Sequence, residues 1–395
     1  MHFRWLARAN IAALTILMSA MIACSAFRTD RVANARAESE LRAELAPNPD
    51  GDRAKIHRVW TDYLQSKTTS YGCQPSVHWT SSEQGLVSVA NGIQLQRCFD
   101  LTDASIWPRE QRHEVLAIEP VGGSQNTEYR IRARFRTDST PNGPRSRTTI
   151  VNVYAIREGG EWKLSSALRR GTVSWRKETV GPFTYYIALG RDFSRARADS
   201  AVKFADSLAT AFDVPRLKQV NYYVVESGDA MLRLYGVEVD TVYGTAGGQS
   251  LPGMIVSGDP VFAENHGHEI AHTVLIPLYY GKRLHLVASE GVVTWLGGTR
   301  SMRYPVVLRA LRHFLAENPL ATLDSVIAGN ALPMHNHGVA LLSAMVHERA
   351  GVQGIRRFLD AGVTTDEFKT RVEAILGMTW VEIGSEWKRR ALASR

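Results

Sequence analysis

The stretch His268-Glu269-Ile270-Ala271-His272 limits what this chain can fold into more than any other five residues do. Two imidazoles four positions apart converge on one point only if the backbone between them is helical, because a turn of 3.6 residues stacks position i over i+4. An extended strand would hold them roughly 13 Å apart. On the helix Glu269 projects beside the pair, so its carboxylate can reach a water held by a metal ion without becoming a ligand itself. Asp259 and Pro260 form a cap and first-turn pair, which predicts a helix over about residues 261–275 that ends ahead of Pro277. Ala271, Val274 and Leu275 provide its buried side. His266 falls two positions before His268 and therefore on another face, where it reads as a polar or supporting residue.

Two histidines leave a catalytic ion under-coordinated, since such sites hold the metal with three protein groups and keep the fourth position for water. Glu290 is the expected third ligand. It sits in "ASEGVVTWLGG", an apolar segment that reads as a second helix, with seventeen residues between it and His272. Pro277 and Gly281 in the connection turn the chain back, so the second helix can pack on the first. Trp295 on that helix reads as core packing. A donor set of two imidazoles and one carboxylate suits zinc better than calcium or magnesium.

This arrangement, HExxH followed by a glutamate in a Ser-Glu-Gly context, resembles the gluzincin branch of zinc metallopeptidases. The resemblance implies that His268, His272 and Glu290 bind Zn2+, that Glu269 is the general base, and that the substrate is a peptide or protein. It extends over residues 180–395, because "HGVALLSAMVHERAG" and "LGMTWVEIGSEWKRRAL" look like the helical tail of small peptidase MA-like proteins. Where related enzymes carry a carboxylate four residues after the third ligand this chain has Thr294, so Glu264 or a backbone carbonyl is expected to orient the histidines. The family also uses a tyrosine or histidine to hold the oxyanion. Candidates are His335 and His337 of "MHNHG", with Tyr304 behind them; the alternative is that both histidines are surface or capping residues. The aminopeptidase-type Gly-Ala-Met-Glu-Asn strand is absent, and "GMIVSG" only loosely occupies its place, which leans the expectation toward endopeptidase activity.

The first residues address export. Arg4 and Arg8 precede an apolar run over residues 11–23, too short to span a bilayer comfortably, so residues 1–24 read as a secretory signal. Its end, "MIAC", resembles the lipobox of bacterial lipoproteins, with Met21 where that pattern prefers Leu. The resemblance implies lipidation of Cys24 and a place in the bacterial cell envelope, anchored to a membrane by lipid. Ordinary cleavage and an uncleaved anchor are the alternatives. Residues 25–50 read as a tether. With Cys24 so used, Cys73 and Cys98 remain as a pair in an oxidising compartment, either as a disulfide contributing at most about 3.5 kcal/mol or as two buried thiols.

Residues 51–178 predict an α+β domain. Ile56, Val59, Trp60, Tyr63 and Leu64 fall on one helical stripe. Short alternating segments follow: "GLVSVA", "IQLQRCF", "HEVLAIEPV", "EYRIRARFRT" and "RTTIVNVYAI", then a "REGGEW" turn into "WKLSSALRR". One helix followed by a curved antiparallel sheet is similar to the NTF2-like cone fold. From residue 179 onward the strand "FTYYIAL", a helix through Ala201, Phe204, Ala205 and Leu208, and the strand "VNYYVVES" give a small sheet with a helix on it. The rest reads as helical, with Thr364 and Glu367 as a capping box. The net charge of +8 is not gathered into a long basic block, and the arginines of "YRIRARFR" alternate as one wet face of a strand, so nucleic acid is not an expected partner. The competing reading of the whole chain is a catalytically inactive metallopeptidase-fold lipoprotein acting as an envelope binding or assembly factor.

Overall fold

A computed structural model describes residues 51–66, 77–83, 87–90, 93–96, 112–124, 126–137, 147–240, 247–251, 253–279, 285–328, 334–362 and 364–393. Residues 1–50, where a signal and a tether are expected, and Cys24, Cys73 and Cys98 lie outside the described residues. The architecture is mixed α/β, with largely antiparallel sheets and a helical C-terminal half.

Helix α1 (Gly51–Ser66) buries Ile56, Trp60, Tyr63 and Leu64, the stripe that its periodicity predicts. Strands β1 (Val87–Ala90) and β2 (Ile93–Gln96) form a two-stranded ladder. Strands β3 (Arg112–Pro120), β4 (Glu128–Thr137), β5 (Arg147–Glu158) and β6 (Glu161–Ser165) form an antiparallel sheet behind α1. On β4 the residues Ile131, Ala133 and Phe135 point into the core, while Arg130 and Arg134 pair with Glu119 and Glu114 of β3. Exposed pairs of this kind contribute about 0–1 kcal/mol each. Their effect is to match the arginine charges, not to hold the sheet. The expected strand "WKLSSALRR" is strand only to Ser165. Ser166 then accepts from the Arg169 N–H and caps a short helix, α2 (Ala167–Thr172).

The second sheet contains β7 (Arg176–Val180), β8 (Phe183–Ile187), β9 (Val220–Val224), β11 (Gly248–Leu251) and β12 (Met254–Ser257), in the order β11-β12-β9-β8-β7. Strands β8, β9 and β12 run parallel. Helix α3 (Arg195–Ala211) crosses between β8 and β9, buries Ala201, Ala205 and Leu208, and ends ahead of Pro215. Both faces of this sheet are covered, so its strands read as nearly unbroken apolar runs. Phe183, Tyr185, Tyr222 and Val224 join the core shared with the C-terminal helices, while Tyr223, Val225, Met254 and Val256 join the core shared with α1 and the first sheet.

Helix α4 (Gly228–Leu234) leads into β10 (Val237–Asp240), which leaves the second sheet altogether and pairs with residues 149–151 of β5. Strands β6 and β10 thus share one edge of β5. A strand from beyond residue 179 joins the sheet of the preceding unit, and the next described strand, β11, belongs to the second sheet.

The C-terminal half holds α5 (Gly267–Tyr279), α6 (Leu286–Gly297), α7 (Tyr304–Glu317), α8 (Leu323–Ala328), α9 (His335–Leu359), α10 (Thr365–Leu376) and α11 (Trp380–Ala393). Helix α9 carries a kink at Gly351, where φ is 60° and ψ −157°. Thr364 and Glu367 form the expected capping box of α10. The buried Trp387 of α11 donates its indole N–H to the Gly338 carbonyl at 2.8 Å, which locks α11 onto the start of α9.

Candidate metal centre

Three fixations place the first helix of the site. Asp259 caps as expected, its Oδ1 accepting from the N–H groups of Val261 and Phe262 at 2.8 and 2.9 Å. What it caps is a turn and a short 3-10 segment, Ala263–Asn265, and the α-helix itself begins only at Gly267. The expected helix over residues 261–275 is therefore displaced: it starts six residues later and continues through Pro277 to Tyr279. Tyrosines from the sheet core hold the intervening turn. Tyr222 donates to the Ala263 carbonyl at 2.8 Å and accepts from the His266 N–H at 2.9 Å, and Tyr185 donates to the Glu264 carbonyl at 3.1 Å. Glu264 is fully buried, and its carboxylate accepts from the Ser194 N–H at 2.8 Å and from Arg197 Nε at 2.5 Å. Glu264 ties the turn to α3 and supports neither histidine.

Close backbone contacts place the second helix. A Cβ on Gly297 would lie 2.2 Å from the Gly267 carbonyl carbon, so the end of α6 and the start of α5 pack with nothing between them. A Cβ on Gly291 would lie 2.7 Å from Ser343 Oγ and 2.8 Å from the Val339 carbonyl oxygen, which explains the glycine that follows Glu290. With α5 on one side and α9 on the other, Glu290 is delivered to the histidine pair.

His268, His272 and Glu290 form one group whose donor atoms lie within 4.8 Å of one another. His268 Nε2 is 3.4 Å from Glu290 Oε2, and His272 Nε2 is 3.3 Å from Glu290 Oε1. These residues could hold a metal ion. Each imidazole is oriented from behind, as metal-ligating histidines require. His268 Nδ1 lies 2.8 Å from the Gly298 carbonyl; a carbonyl only accepts, so Nδ1 carries a proton and in the neutral ring the lone pair is on Nε2. Tyr279 donates to the His272 carbonyl at 2.9 Å, which spends its hydroxyl proton, and its oxygen lies 3.4 Å from His272 Nδ1. Asn336 Nδ2 donates to Glu290 Oε2 at 3.3 Å. Of the two supports expected for the ligands, a backbone carbonyl is present and Glu264 is engaged elsewhere, while Thr294 is buried and its hydroxyl has no hydrogen bond.

The group opens onto a cavity of about 1120 Å³, also lined by Glu269, His266, Tyr279, Asn336, Arg300 and strand β11. Glu269 is 6% exposed and packs against β11, since a Cβ on Gly248 would lie 2.9 Å from its Cγ and 2.5 Å from His266 Nδ1. His266 is buried, its Nδ1 lies 3.1 Å from Ser257 Oγ, and burial lowers its pKa. The strand along the cavity is Gly248–Leu251, and "GMIVSG" supplies the inner strand β12 beside it. His335 and His337 are not among the residues lining the cavity. His335 Nδ1 is 2.9 Å from the Val326 carbonyl, and His337 is buried with neither ring nitrogen hydrogen-bonded. Burial, with Arg300 adding to it, pushes the His337 pKa down to about 4. Asn336 between them faces the cavity instead. Tyr304 lines a separate cavity of about 460 Å³ with Phe262 and Gly267. Trp295 packs on the helical core, 4.8 Å from the His347 ring.

The electrostatics of the group give a pH prediction. Burial opposes charge on His268, but its hydrogen bond to Glu290 and the fields of Glu269 and Glu290 outweigh that and raise its pKa to about 9. Burial likewise opposes ionisation of Glu290, and the two histidines more than reverse it, holding the carboxyl well below its usual range. An ion needs the His268 Nε2 lone pair that the proton occupies below about 9. Metal binding near pH 7 is therefore expected to release about one proton, with affinity rising roughly tenfold per pH unit toward 9. Titration of Zn2+ against a competing chelator from pH 6 to 8.5 checks this; an affinity flat with pH would contradict it.

No protein-family model matches this chain, and no curated protein matches it either.

Proposed function

We propose that the chain is a zinc-dependent peptidase of the gluzincin type, similar to the peptidase MA-like proteins, carried on an exported lipid-anchored protein with an NTF2-like domain ahead of it. The observation that carries the reading is the open triad. Tetrahedral bonds of about 2.05 Å to zinc put neighbouring donors about 3.3 Å apart, and each imidazole Nε2 stands at such a distance from one oxygen of Glu290, 3.4 Å for His268 to Oε2 and 3.3 Å for His272 to Oε1. A structural ion would have its fourth side closed by a further Cys or His. Here that side faces the cavity, with Glu269 on its wall. Small-molecule pockets measure roughly 300–1,000 Å³, so a 1120 Å³ cavity suits several residues of peptide. Among the described residues strand β11 is an edge strand, so its outer side offers main-chain hydrogen bonds to an extended substrate. No acidic residue stands on β11 to hold a free N-terminus, which favours endopeptidase activity.

His268, His272 and Glu290 would hold the ion through two nitrogens and one oxygen. A bound zinc ion supplies a Lewis acid that brings the pKa of water from about 15.7 toward 7 and polarises the scissile carbonyl. Glu269 takes the proton of the attacking water and then delivers it to the leaving amine. Gly298 and Tyr279 hold both imidazoles with Nε2 forward, and Asn336 restrains Glu290 from the substrate side.

The test uses the full chain. Zinc is expected at about one ion per chain, with cleavage of a mixed peptide library that a chelator stops and zinc restores. Stoichiometric zinc without any cleavage would favour the second reading, a metallopeptidase-fold lipoprotein serving as an envelope binding factor. Among the described residues of the first domain Trp60, Tyr63, Trp79 and Phe135 fill the interior as core, which counts against a ligand pocket there and so against that second reading.

A further inference from the structure

The turn that follows α6 is built against its own backbone preferences. Residues 299–302 close on each other through the Thr299 N–H to the Met302 carbonyl at 2.9 Å and the Met302 N–H to the Thr299 carbonyl at 2.8 Å. Both central residues have positive φ, 46° at Arg300 and 60° at Ser301, a conformation that Asn-Gly or Gly-Gly adopts readily and that costs other side chains. The surroundings impose it. Gly298 precedes the turn with φ 85°, where a Cβ would lie 2.1 Å from the Met302 carbonyl oxygen. Ser301 Oγ donates to Asp259 Oδ2 at 2.6 Å, and the Gly298 carbonyl is the partner of His268 Nδ1. The turn is thus fixed at one end to Asp259, which caps the turn ahead of the metal helix, and at the other to a metal ligand.

At the tip of this turn Arg300 lines the metal cavity. Among the described residues it makes no hydrogen bond and no ion pair. The carboxylates that share the cavity do not neutralise it. Asp259 is occupied by Ser301 and by the N–H groups of Val261 and Phe262, Glu290 by the two histidines, and Glu269 and the rim residue Glu226 form no ion pair with it. A guanidinium is a planar fork matched to a carboxylate.

We infer that Arg300 selects substrates that carry a carboxylate near the scissile bond, supplied by a free C-terminus or by an Asp or Glu side chain. The inference rests on the peptidase reading and names its substrate class. The placement agrees: Arg300 lines the same cavity as His268, His272 and Glu290, so its guanidinium borders the space that a substrate beside the metal would fill.

The test measures binding as well as turnover. Calorimetry on the zinc-loaded Glu269→Gln protein compares an acetylated hexapeptide ending in a carboxylate with its C-terminal amide, and an internal Asp with Asn in the amide. In one of these pairs the carboxylate is expected to bind about 10–100-fold tighter, which also tells the two sources apart. The gap is expected to vanish in Glu269→Gln/Arg300→Asn, while Arg300→Asn alone unfolds at the same or a higher temperature, because asparagine tolerates positive φ. Equal affinities within both pairs, or a gap that survives Arg300→Asn because the carboxylate goes to the metal, would overturn the inference. A gap that depends on Arg300 in a protein whose wild type cleaves nothing would keep Arg300 as a carboxylate-binding residue and remove the peptidase reading instead.

Discussion

Glu269→Gln is expected to lower peptide cleavage by roughly 10²–10⁴ while the protein keeps a full complement of zinc. The substitution preserves the shape of a side chain that is 6% exposed and packed beneath Gly248, so the fold and the cavity wall are unchanged. It removes only the ability to take a proton from the attacking water and return it to the leaving amine. No metal ligand is touched, since the triad consists of His268, His272 and Glu290. Zinc content and single-turnover cleavage measured on the same preparation decide the matter. A zinc-loaded variant that cuts as fast as wild type would show that Glu269 is not the base.

Glu290→Ala attacks the other half of the site and should weaken zinc binding by more than about 100-fold, because loss of an outer partner alone costs about 10–100-fold and this residue donates directly. Two imidazoles remain, fewer protein groups than a catalytic ion is held by. Fold loss is not expected to confound the result, because among the described residues the carboxylate bonds only to the two histidines and Asn336. His268 would also lose the partner that lifts its pKa toward 9, so proton release on binding should fall with the affinity. Glu290→Gln keeps the shape without the charge and should fall between. Chelator competition on the three proteins measures the order; equal affinity of Glu290→Ala and wild type would remove Glu290 from the ligand set.

Much of the metal group was legible because helical spacing is local geometry. An i, i+4 pair of imidazoles on an apolar segment can converge in only one backbone conformation, and Glu290 stood on the next apolar segment of helical length. The capping box at Thr364 and Glu367 and the strands β3, β4, β5, β8, β9 and β12 were readable for the same reason, through alternation, apolar runs and cap chemistry. The start of α5 was misplaced because Asp259 and Pro260 mark a turn equally well, and tertiary bonds from Tyr222 and Tyr185 decided which turn formed. Strand β11, "GQSL", was hidden because an edge strand that is half-buried throughout shows no alternation. Strand β10 was hidden because its partner lies some ninety positions earlier in the chain.

What the chain alone determined is therefore the identity and local spacing of the donors, since both follow from residue type and backbone period. What only the tertiary structure decided is everything that depends on approach between distant backbones. The carbonyl of Gly298 behind His268, the hydroxyl of Tyr279 behind His272, Asn336 facing the cavity between two histidines that do not line it, and Arg300 held at positive φ all belong to that class. A backbone carbonyl has no side-chain signature, and a residue's orientation around a helix acquires meaning only when the neighbouring helix is in place. Packing at Gly267, Gly291 and Gly297 sets that placement to within the width of a missing methyl group.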